Sequence, residues 1–318
     1  MSKKLFVHVG TEKTGTTSIQ DFVADHKKQL KKKGLTFLDA GTESNHHYWL
    51  AKALGFRFAP QPVDEKKEER ALAECRAFMA RHPQEDLLLT SEHFDFNPNP
   101  ENIEAFVDFF RDYEVNVVLY LRDQISYCQS LYAEHIKWGG VLEFSDFINR
   151  TIKQGRYSYL KKYDLWEGLV DRVVVVDYNA KRKRLISAFL GAVGLAGVDM
   201  KNSESVFHSN PTPSIEFLEV VRLLNSVIPK VQRRQFYLDL LDLIKKEYPA
   251  YLKRTSPRLP LKFKAFFEEE FFNNRILANL IGKDESGFLR RDDEENDVFH
   301  EVVGGGNYEP LLRELIFK

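Results

Sequence analysis

The stretch that decides the fold of this 318-residue chain runs Phe6-Val7-His8-Val9-Gly10-Thr11-Glu12-Lys13-Thr14-Gly15-Thr16-Thr17-Ser18-Ile19. It is typical of a buried strand, a loop bounded by two glycines, and the start of a helix. Glycines let consecutive backbone N–H groups converge on one anion, and the helix that follows adds the positive end of its dipole. Because Lys13 adds a full charge inside the loop, the stretch predicts a phosphate-binding cradle.

Outside this stretch, nearly continuous apolar runs alternate with segments of helical periodicity. The predicted strands are Leu5 to Val9, Leu35 to Leu38, Leu87 to Thr90, Val115 to Leu121 and Val173 to Val176. The predicted helices between them are Ser18 to Lys33, Glu65 to Arg81, Ile103 to Asp112, Ile125 to Trp138 and Ala180 to Val193. Continuous apolar strands are covered on both faces, so the pattern predicts an α/β, P-loop-like three-layer fold with a central parallel sheet flanked by helices.

The pattern changes around Ser209-Asn210-Pro211-Thr212-Pro213, and we expect no central strand after it. Residues 1–318 are predicted to form one domain, with a sheet core over 1–208 and a mainly helical C-terminal annex over 209–318 packed on it. The helices predicted in that annex are Ser214 to Val227, Val231 to Tyr248 and Leu261 to Ile281. Beyond them, Arg290 to Glu301 is acidic and polar, and Gly304-Gly305-Gly306 predicts a flexible joint.

Composition and charge exclude several classes of function. A formal net charge of -1 argues against binding nucleic acid over the whole surface, and a hydrophobic content of 43% is ordinary for a globular protein. The two cysteines, Cys75 and Cys128, lie in predicted helices, so we expect no disulfide framework and a reducing compartment. No run of about 18 apolar residues occurs. We therefore expect a soluble, cytoplasmic protein without a transmembrane segment.

The first alternative for the loop is an ATP or GTP site of the type G-x-x-x-x-G-K-[ST]. Gly10 and Gly15 have the right spacing, but Thr16 stands where that motif places its lysine, and the loop carries Lys13 instead. Such an enzyme also needs a carboxylate that holds magnesium after a strand. Asp123 and Asp177 are the candidates, and neither lies in a run that forces the assignment.

A more specific similarity concerns the loop itself. Lys13-Thr14-Gly15-Thr16-Thr17-Ser18, between a first strand and a first helix, resembles the 5′-phosphosulfate loop of sulfotransferases that use 3′-phosphoadenosine 5′-phosphosulfate (PAPS). The resemblance implies that these residues wrap the 5′-phosphate and the transferring sulfonate. It also implies that adenosine 3′,5′-bisphosphate is the nucleotide product.

A second segment resembles the 3′-phosphate site of the same family. It runs Val117-Val118-Leu119-Tyr120-Leu121-Arg122-Asp123-Gln124-Ile125-Ser126-Tyr127-Cys128-Gln129-Ser130-Leu131-Tyr132. The resemblance implies that Arg122, at the end of a strand, and Ser130, eight residues later on a helix, hold the 3′-phosphate. The planar fork of an arginine suits a phosphate, and Ser130 points away from the apolar face of its helix. Taken alone, Arg122 is better explained by pairing with a nearby carboxylate and Ser130 as an ordinary polar helix residue; the loop at Lys13 reverses this preference.

Weaker similarities extend the match over most of the chain from Phe6 to Asn225. Arg172-Val173-Val174-Val175-Val176-Asp177-Tyr178 and Phe189-Leu190-Gly191 resemble a later strand and helix of the family. Asn210-Pro211-Thr212-Pro213-Ser214, Leu223-Leu224-Asn225 and Asn273-Asn274-Arg275 resemble stretches of bacterial, carbohydrate-type members. The Arg-Lys-Gly-x-x-Gly-Asp-Trp-Lys segment of cytosolic small-molecule sulfotransferases is missing. The sequence therefore favours the carbohydrate-type branch.

Sulfuryl transfer needs a cation at the leaving oxygen and a base at the acceptor. Lys13 is the predicted cation, and no metal is required in principle. Glu92 and His93 follow the third predicted strand, where family members use a glutamate or a histidine, and we favour Glu92 slightly. His46 and His47 could line an acceptor pocket, although ordinary packing explains them at least as well.

Three hypotheses follow from the sequence. The first is a PAPS-dependent sulfotransferase acting on a hydroxyl, or an amine, of a carbohydrate or another polar acceptor. The second is a P-loop kinase or nucleoside triphosphatase with a displaced lysine. The third is a sulfotransferase-like protein that binds the nucleotide without turnover.

Overall fold

The structure of the protein is a computed structural model that describes residues 2–57, 63–198, 213–249, 258–289 and 299–300. The chain divides into two compact units. The first contains Met1–Arg122, Ser158–His208 and Phe272–Arg290, and the second contains Asp123–Tyr157, Ser209–Phe271 and Arg291–Lys318. Residues 123–157 thus belong to the same unit as the later helices. The prediction of one domain, with a sheet core that ends at residue 208 and a helical annex that begins at residue 209, stays a prediction.

The first unit is built on a five-stranded parallel sheet. Its strands are β1 (Lys4–Gly10), β2 (Leu35–Phe37), β3 (Asp86–Thr90), β4 (Glu114–Leu121) and β5 (Arg172–Asp177). Every predicted strand is present, with bounds that differ by one residue or less. The predicted α/β fold with a central parallel sheet is therefore confirmed.

The order of the strands is β2-β3-β1-β4-β5, so the strand that precedes the glycine loop lies in the centre of the sheet. Its neighbours are β3 on one side and β4 on the other. The strands β2 and β3 are added on one side of β1, and β4 and β5 on the other side, so the strand order reverses between β1 and β4. In open α/β sheets, ligands bind at such a point, beyond the carboxyl ends of the strands.

Helices cover both faces of this sheet. In the first unit they are α1 (Thr16–Lys32), α2 (Tyr48–Ala53), α3 (Glu65–Arg81), α4 (Pro100–Phe109), α7 (Tyr159–Glu167), α8 (Tyr178–Lys181) and α9 (Leu185–Ala192). On one face, Ile19 and Phe22 of α1 pack with Phe189 of α9 in an apolar cluster that includes β-strand residues. A second cluster is aromatic, with Phe56 stacked on Trp166 at 5.8 Å between ring centroids.

The second unit is helical. Its helices are α5 (Gln124–Lys137), α6 (Phe144–Lys153), α10 (Ile215–Val227) and α11 (Arg233–Glu247), while the unit boundary falls within α12 (Lys264–Leu280). Polar contacts fix α10 against α5: Tyr132 donates its hydroxyl hydrogen to Glu219 at 2.6 Å, and Asn225 donates to the carbonyl of Ile136 at 3.0 Å. Among the described residues of this unit, the only strands are β6 (Leu259–Pro260) and β7 (Phe299–His300), which pair with each other.

Several helices differ from their predicted bounds. The predicted helix from Ala180 to Val193 is instead α8, a 3-10 turn over Arg182–Arg184, and α9. The three short helices α2, α6 and α7 were not predicted. The six residues of α2 give too little periodicity to distinguish a helix from a loop, whereas α6 is clearly amphipathic and its pattern was overlooked. The predictions for Ser209 to Thr212, for Gly304 to Gly306, and for most of Arg290 to Glu301 lie outside the described residues.

No helix in the described ranges combines the length and the apolar character that crossing a membrane requires. Both cysteines, Cys75 and Cys128, are buried free thiols.

Candidate active site

The loop between β1 and α1 has the backbone conformation of an anion cradle. Gly10 and Gly15 have φ of 70° and 79°, which only glycine adopts without strain. A Cβ atom on Gly15 would lie 2.5 Å from Cδ2 of Leu185, so the position also has no room for a side chain. Gly15 caps α1, whose first turn carries no acidic residue. The free N–H groups at the start of α1 therefore face no carboxylate on their own helix.

Lys13 is itself in a left-handed conformation, with φ of 63°. A lysine in that region costs roughly 1–2 kcal/mol relative to the right-handed region. Backbone strain of this kind is stored at functional sites, where the surrounding structure holds it in place. Here the carbonyl oxygen of Lys13 accepts a hydrogen bond from Nη1 of Arg122 at 3.2 Å.

Arg122 therefore connects the end of β4 with the glycine loop. Its carbonyl oxygen accepts a hydrogen bond from the hydroxyl of Tyr159 at 2.7 Å, and its guanidinium lies 5.6 Å from the ring centroid of Tyr178. The side chain is partly buried. The structure thus brings Lys13 and Arg122, two of the predicted site residues, into direct contact.

The hydroxyls of the loop divide into buried and exposed groups. Thr14 donates its hydroxyl hydrogen to the carbonyl of Thr11. Thr11 is fully buried, and its own hydroxyl has no hydrogen-bond partner among the described residues. Thr16 is buried, whereas Thr17 is exposed and Ser18 lies between these extremes. A buried hydroxyl without a partner is costly, so Thr11 marks a place where a ligand would satisfy the loop.

Glu92 lies directly against this loop. It begins a 3-10 turn over Glu92–Asp95 that follows β3. A Cβ atom built on Gly10 would lie 3.3 Å from Cβ of Glu92. Gln20 of α1 donates a hydrogen bond to Oε2 of Glu92 at 2.6 Å. The carboxylate is thus oriented by the same helix whose N-terminus completes the cradle.

His93 turns away from Glu92 into a cluster of rings. Its imidazole stacks on His46 with 5.3 Å between centroids and 7° between planes. Tyr48 approaches edge-on at 4.5 Å, and Phe96 lies at 4.6 Å. Nδ1 of His93 is 3.2 Å from the hydroxyl of Ser91. Because adjacent side chains at a strand end diverge, Glu92 lies beside the loop and His93 lies in the ring cluster.

His47 has a different environment from His46. It is fully buried; its Nε2 donates to the carbonyl oxygen of Leu38 at 2.7 Å, and its Nδ1 accepts from the backbone N–H of Thr90 at 3.2 Å. Burial lowers the pKa of His47 to about 4, so the ring is neutral near pH 7. The ring ties the loop before α2 to β3 and to the segment after β2. These contacts explain His47 as a structural residue, and it contributes nothing to the proposals below.

A buried ion pair supports the turn that carries Glu92. Nζ of Lys162, on α7, lies 2.8 Å from Oδ2 of Asp95, and the two side chains are 7% and 0% exposed. The backbone N–H of His93 donates to the hydroxyl of Ser91, which caps the other end of the turn. Both ends of the turn are therefore fixed by polar contacts.

Ser130 lies on α5 in the second unit, partly exposed, whereas the loop belongs to the first unit. The predicted apolar face of α5 is buried, as shown by Ile125 and Cys128 at 0% exposure. The predicted role of Ser130 in binding the 3′-phosphate stays a prediction. In the described residues, no group of three or more His, Cys, Asp or Glu side chains is arranged to hold a metal.

The two carboxylates considered for magnesium both serve as helix caps. Asp123 accepts from the N–H of Ser126 at the start of α5. Asp177 accepts from the N–H groups of Ala180 and Leu289. Burial raises the pKa of Asp177. A carboxylate engaged in this way is less available as a metal ligand.

No protein-family model and no curated protein matches this sequence. Among solved structures, the chain is similar to a sulfotransferase from Alicyclobacillus acidocaldarius, with a TM-score of 0.52 over 91% of this chain and 100% of that chain. This protein has a sulfotransferase-like fold. The sequence identity is 12%, which establishes the fold alone.

A second solved structure, from the PezAT toxin–antitoxin system of Streptococcus pneumoniae, is 14% identical over 75% of this chain and 87% of that chain. Its TM-score of 0.30 is too low to inform the fold or the function.

Sequence reasoning missed several residues of this candidate site. Gln20 had no signal, because its contact with Glu92 exists only after α1 packs beside β3. Lys162 was missed for the same reason, since its partner Asp95 is 67 residues away. Tyr178 carried a signal that could have been used. It directly follows β5, so it lies at the same edge of the sheet as the loop.

Proposed function

We propose that the protein transfers a sulfuryl group from PAPS to a hydroxyl, or an amine, of a carbohydrate or another polar acceptor. The observation that carries the proposal is the loop at Lys13, whose strained backbone accepts a hydrogen bond from Arg122 and whose first glycine lies beside Glu92. A cation, an anion cradle and a carboxylate then lie at the carboxyl edge of three adjacent strands. The similarity of the fold to a sulfotransferase supports the same reaction class.

The residues of the loop fit a phosphosulfate group. Gly10, Lys13 and Gly15 have left-handed backbone conformations, which allow consecutive N–H groups to converge on an anion, and the first turn of α1 has no acidic side chain. The buried hydroxyl of Thr11 lacks a partner among the described residues, so an anion in the loop would satisfy it. We propose that the loop from Lys13 to Ser18 holds the 5′-phosphosulfate and that Arg122 and Ser130 hold the 3′-phosphate.

PAPS, when bound, supplies an activated sulfuryl group. Lys13 would stabilise the negative charge that develops on the leaving phosphate oxygen, which is worth more in the transition state than in the ground state. Glu92 would accept the proton of the acceptor. Gln20 holds one carboxylate oxygen of Glu92, so Oε1 is the oxygen proposed to take the proton.

The ring cluster of His46, Tyr48, His93 and Phe96 is the proposed acceptor side of the site. Nδ1 of His46 is buried without a hydrogen-bond partner among the described residues. A polar acceptor could supply that partner and lie against the flat face of the rings. His93 would then position the acceptor, and Glu92 would act as the base.

The proposal is tested first by calorimetry with adenosine 3′,5′-bisphosphate and 5′-AMP. We expect the bisphosphate to bind much more tightly, because only it presents a second phosphate. Equal binding of the two nucleotides, or no binding, would refute the donor assignment. Magnesium-dependent ATP turnover that Lys13→Ala abolishes would instead support a P-loop kinase or triphosphatase.

A second experiment tests turnover. Radiolabelled PAPS is incubated with a panel of carbohydrate and other polar acceptors, and labelled product is counted. Transfer that depends on Lys13 supports the enzyme. Tight bisphosphate binding without transfer to any acceptor would favour a non-catalytic binding protein. The cytoplasmic location stays a prediction.

A further inference from the structure

A cleft with a volume of about 570 Å³ lies between α3 and α4. This volume is within the range of small-molecule sites, roughly 300–1,000 Å³. Every lining residue belongs to the first unit. From α3 the cleft receives one helical face that includes Leu72, Arg76, Met79 and Ala80, and from α4 it receives Phe109.

The cleft is at the opposite edge of the sheet from the candidate active site. Lys3, which lines it, directly precedes β1, and Tyr113 directly precedes β4. Lys13 and Arg122, by contrast, follow the carboxyl ends of those two strands. A ligand in the cleft would therefore occupy a site separate from the proposed sulfuryl-transfer site.

The walls of the cleft combine apolar surface with cations placed over rings. Nζ of Lys3 lies 4.2 Å from the ring centroid of Tyr113. Cζ of Arg76 lies 5.1 Å from the ring centroid of Phe109. Leu72 and Met79 supply aliphatic surface between these pairs. An apolar body and an anionic group would both find partners here.

Among the side chains that line the cleft, cations outnumber carboxylates by one. The basic side chains that line it are Lys3, Arg76 and Arg111, and the acidic ones are Asp108 and Asp112. Arg111 and Asp108 pair with each other at 3.5 Å. Once this pair is set aside, the lining holds two cations, Lys3 and Arg76, and one carboxylate, Asp112. Burial raises the pKa of Tyr113, and the nearby carboxylates of Asp112, Glu85 and Asp86 raise it further.

Tyr113 adds an independent observation. Its side chain lines the cleft, is 7% exposed, and has a hydroxyl without a hydrogen-bond partner among the described residues. Buried hydroxyls normally have a partner. An acceptor atom on a ligand would provide the missing one.

We propose that this cleft binds a small amphipathic anion, namely an apolar or aromatic body that carries one carboxylate or sulfonate. The body lies against Leu72, Met79 and Phe109. The acidic group lies near Lys3 and Arg76, where an oxygen can accept from the hydroxyl of Tyr113.

The test uses 1-anilinonaphthalene-8-sulfonate, an aromatic sulfonate that fluoresces in apolar sites, with decanoate as a competing carboxylate. Ala80→Trp fills the cleft from α3, and Ala77→Trp, an exposed position on the same helix outside the lining, is the matched control. Arg76→Met removes the cation and keeps an apolar stem, and Arg81→Met is its control on the same helix.

We expect the dye to bind the native protein, to be displaced by decanoate, and to be retained when adenosine 3′,5′-bisphosphate is saturating. Ala80→Trp and Arg76→Met should each raise the dissociation constant of the dye by about tenfold, because one blocks the cleft and the other removes a charged partner. Both controls should stay within about twofold of the native protein.

Three results would overturn the proposal. The first is equal dye affinity in Ala80→Trp and Ala77→Trp, which would place the dye elsewhere. The second is displacement of the dye by the bisphosphate, which would place it at the glycine loop. The third is equal dye affinity in Arg76→Met and Arg81→Met, which would show that Arg76 does not bind the acidic group of the ligand. Circular dichroism of each variant shows whether it is folded.

Discussion

Replacing Arg122 with methionine separates two roles that this side chain could have. One is direct contact with the 3′-phosphate of the nucleotide. The other is support of the loop, because Nη1 of Arg122 donates to the carbonyl of Lys13 at 3.2 Å. Methionine keeps an apolar stem of similar length and removes every donor.

The two roles differ in magnitude and in the ligand they affect. A charged hydrogen bond to a phosphate contributes about 1.5–3 kcal/mol, and an ordinary hydrogen bond contributes about 0.5–1.5 kcal/mol. The bond from Arg122 to Lys13 is long and goes to a neutral carbonyl, so we assign it the smaller range. Adenosine 3′,5′-bisphosphate should lose both contributions, and 5′-AMP, which has no 3′-phosphate, should lose only the smaller one.

The loss common to both nucleotides cancels, so the difference is the phosphate contact alone, about 1.5–3 kcal/mol, and the preference for the bisphosphate over 5′-AMP should fall roughly 10- to 150-fold in Arg122→Met. Isothermal titration calorimetry with both nucleotides measures this ratio. Arg172→Met, an exposed position at the start of β5, is the matched control and should leave the ratio unchanged. A ratio that stays within twofold of the native value would show that Arg122 acts through the loop alone.

Four further predictions concern the site and its support. Lys13→Ala should lower kcat about 10²- to 10³-fold in the labelled-donor assay, because it removes charge at the leaving oxygen. Glu92→Gln should lower kcat about 10²-fold or more with little change in nucleotide affinity, because a base is lost and the donor site is kept. Lys162→Met should lower the free energy of unfolding by about 3–5 kcal/mol, measured in urea, because Asp95 is left as a buried charge. Burial lowers the pKa of His8 to about 3. The buried neutral ring therefore contributes fully to the free energy of unfolding above the unfolded-state pKa, near 6.5, and this contribution is lost as the pH falls from there toward 3. At pH 5 the loss from His8 is roughly 2 kcal/mol, and His8→Gln should remove that part of the difference between pH 7 and pH 5.

Each of these predictions has a result that contradicts it. Undiminished turnover in Glu92→Gln would move the role of base to His93. Unchanged kcat in Lys13→Ala would remove that lysine from the transition state. In Lys162→Met/Asp95→Leu we expect most of the lost stability to return, and no recovery would show that the ion pair is not the cause. An equal pH dependence in His8→Gln and the native protein would assign the acid sensitivity to other groups.

The strands were predictable because burial on both faces leaves a signal in consecutive residues. Val115 to Leu121 is an uninterrupted apolar run apart from Asn116, and it forms β4. The helix around Ala180 was less predictable, because Lys181 to Arg184 is a basic run without apolar residues, and its sequence does not show that the backbone forms a 3-10 turn over Arg182–Arg184. Short segments such as Tyr48–Ala53 carry too few residues for periodicity to be recognised.

The site shows the same limit on a smaller scale. Adjacent side chains at the end of a strand diverge, and the structure places Glu92 beside Gly10 and His93 against His46. Which of the two faces the loop could not be predicted, because it depends on the turn that follows the strand. His46 and His47 were equivalent in the sequence, and only the packing around β2 and β3 makes His47 a buried link between the carbonyl of Leu38 and the backbone N–H of Thr90.

The sequence by itself determined the parallel α/β fold and the position of the glycine loop after the first strand, because both depend on residues close together in the chain. The tertiary structure alone decided that Arg122 reaches the carbonyl of Lys13 and that Gln20 orients Glu92. These contacts join residues 109 and 72 positions apart. No local pattern specifies such pairs, since they form only when strand order brings three strand ends to one edge of the sheet.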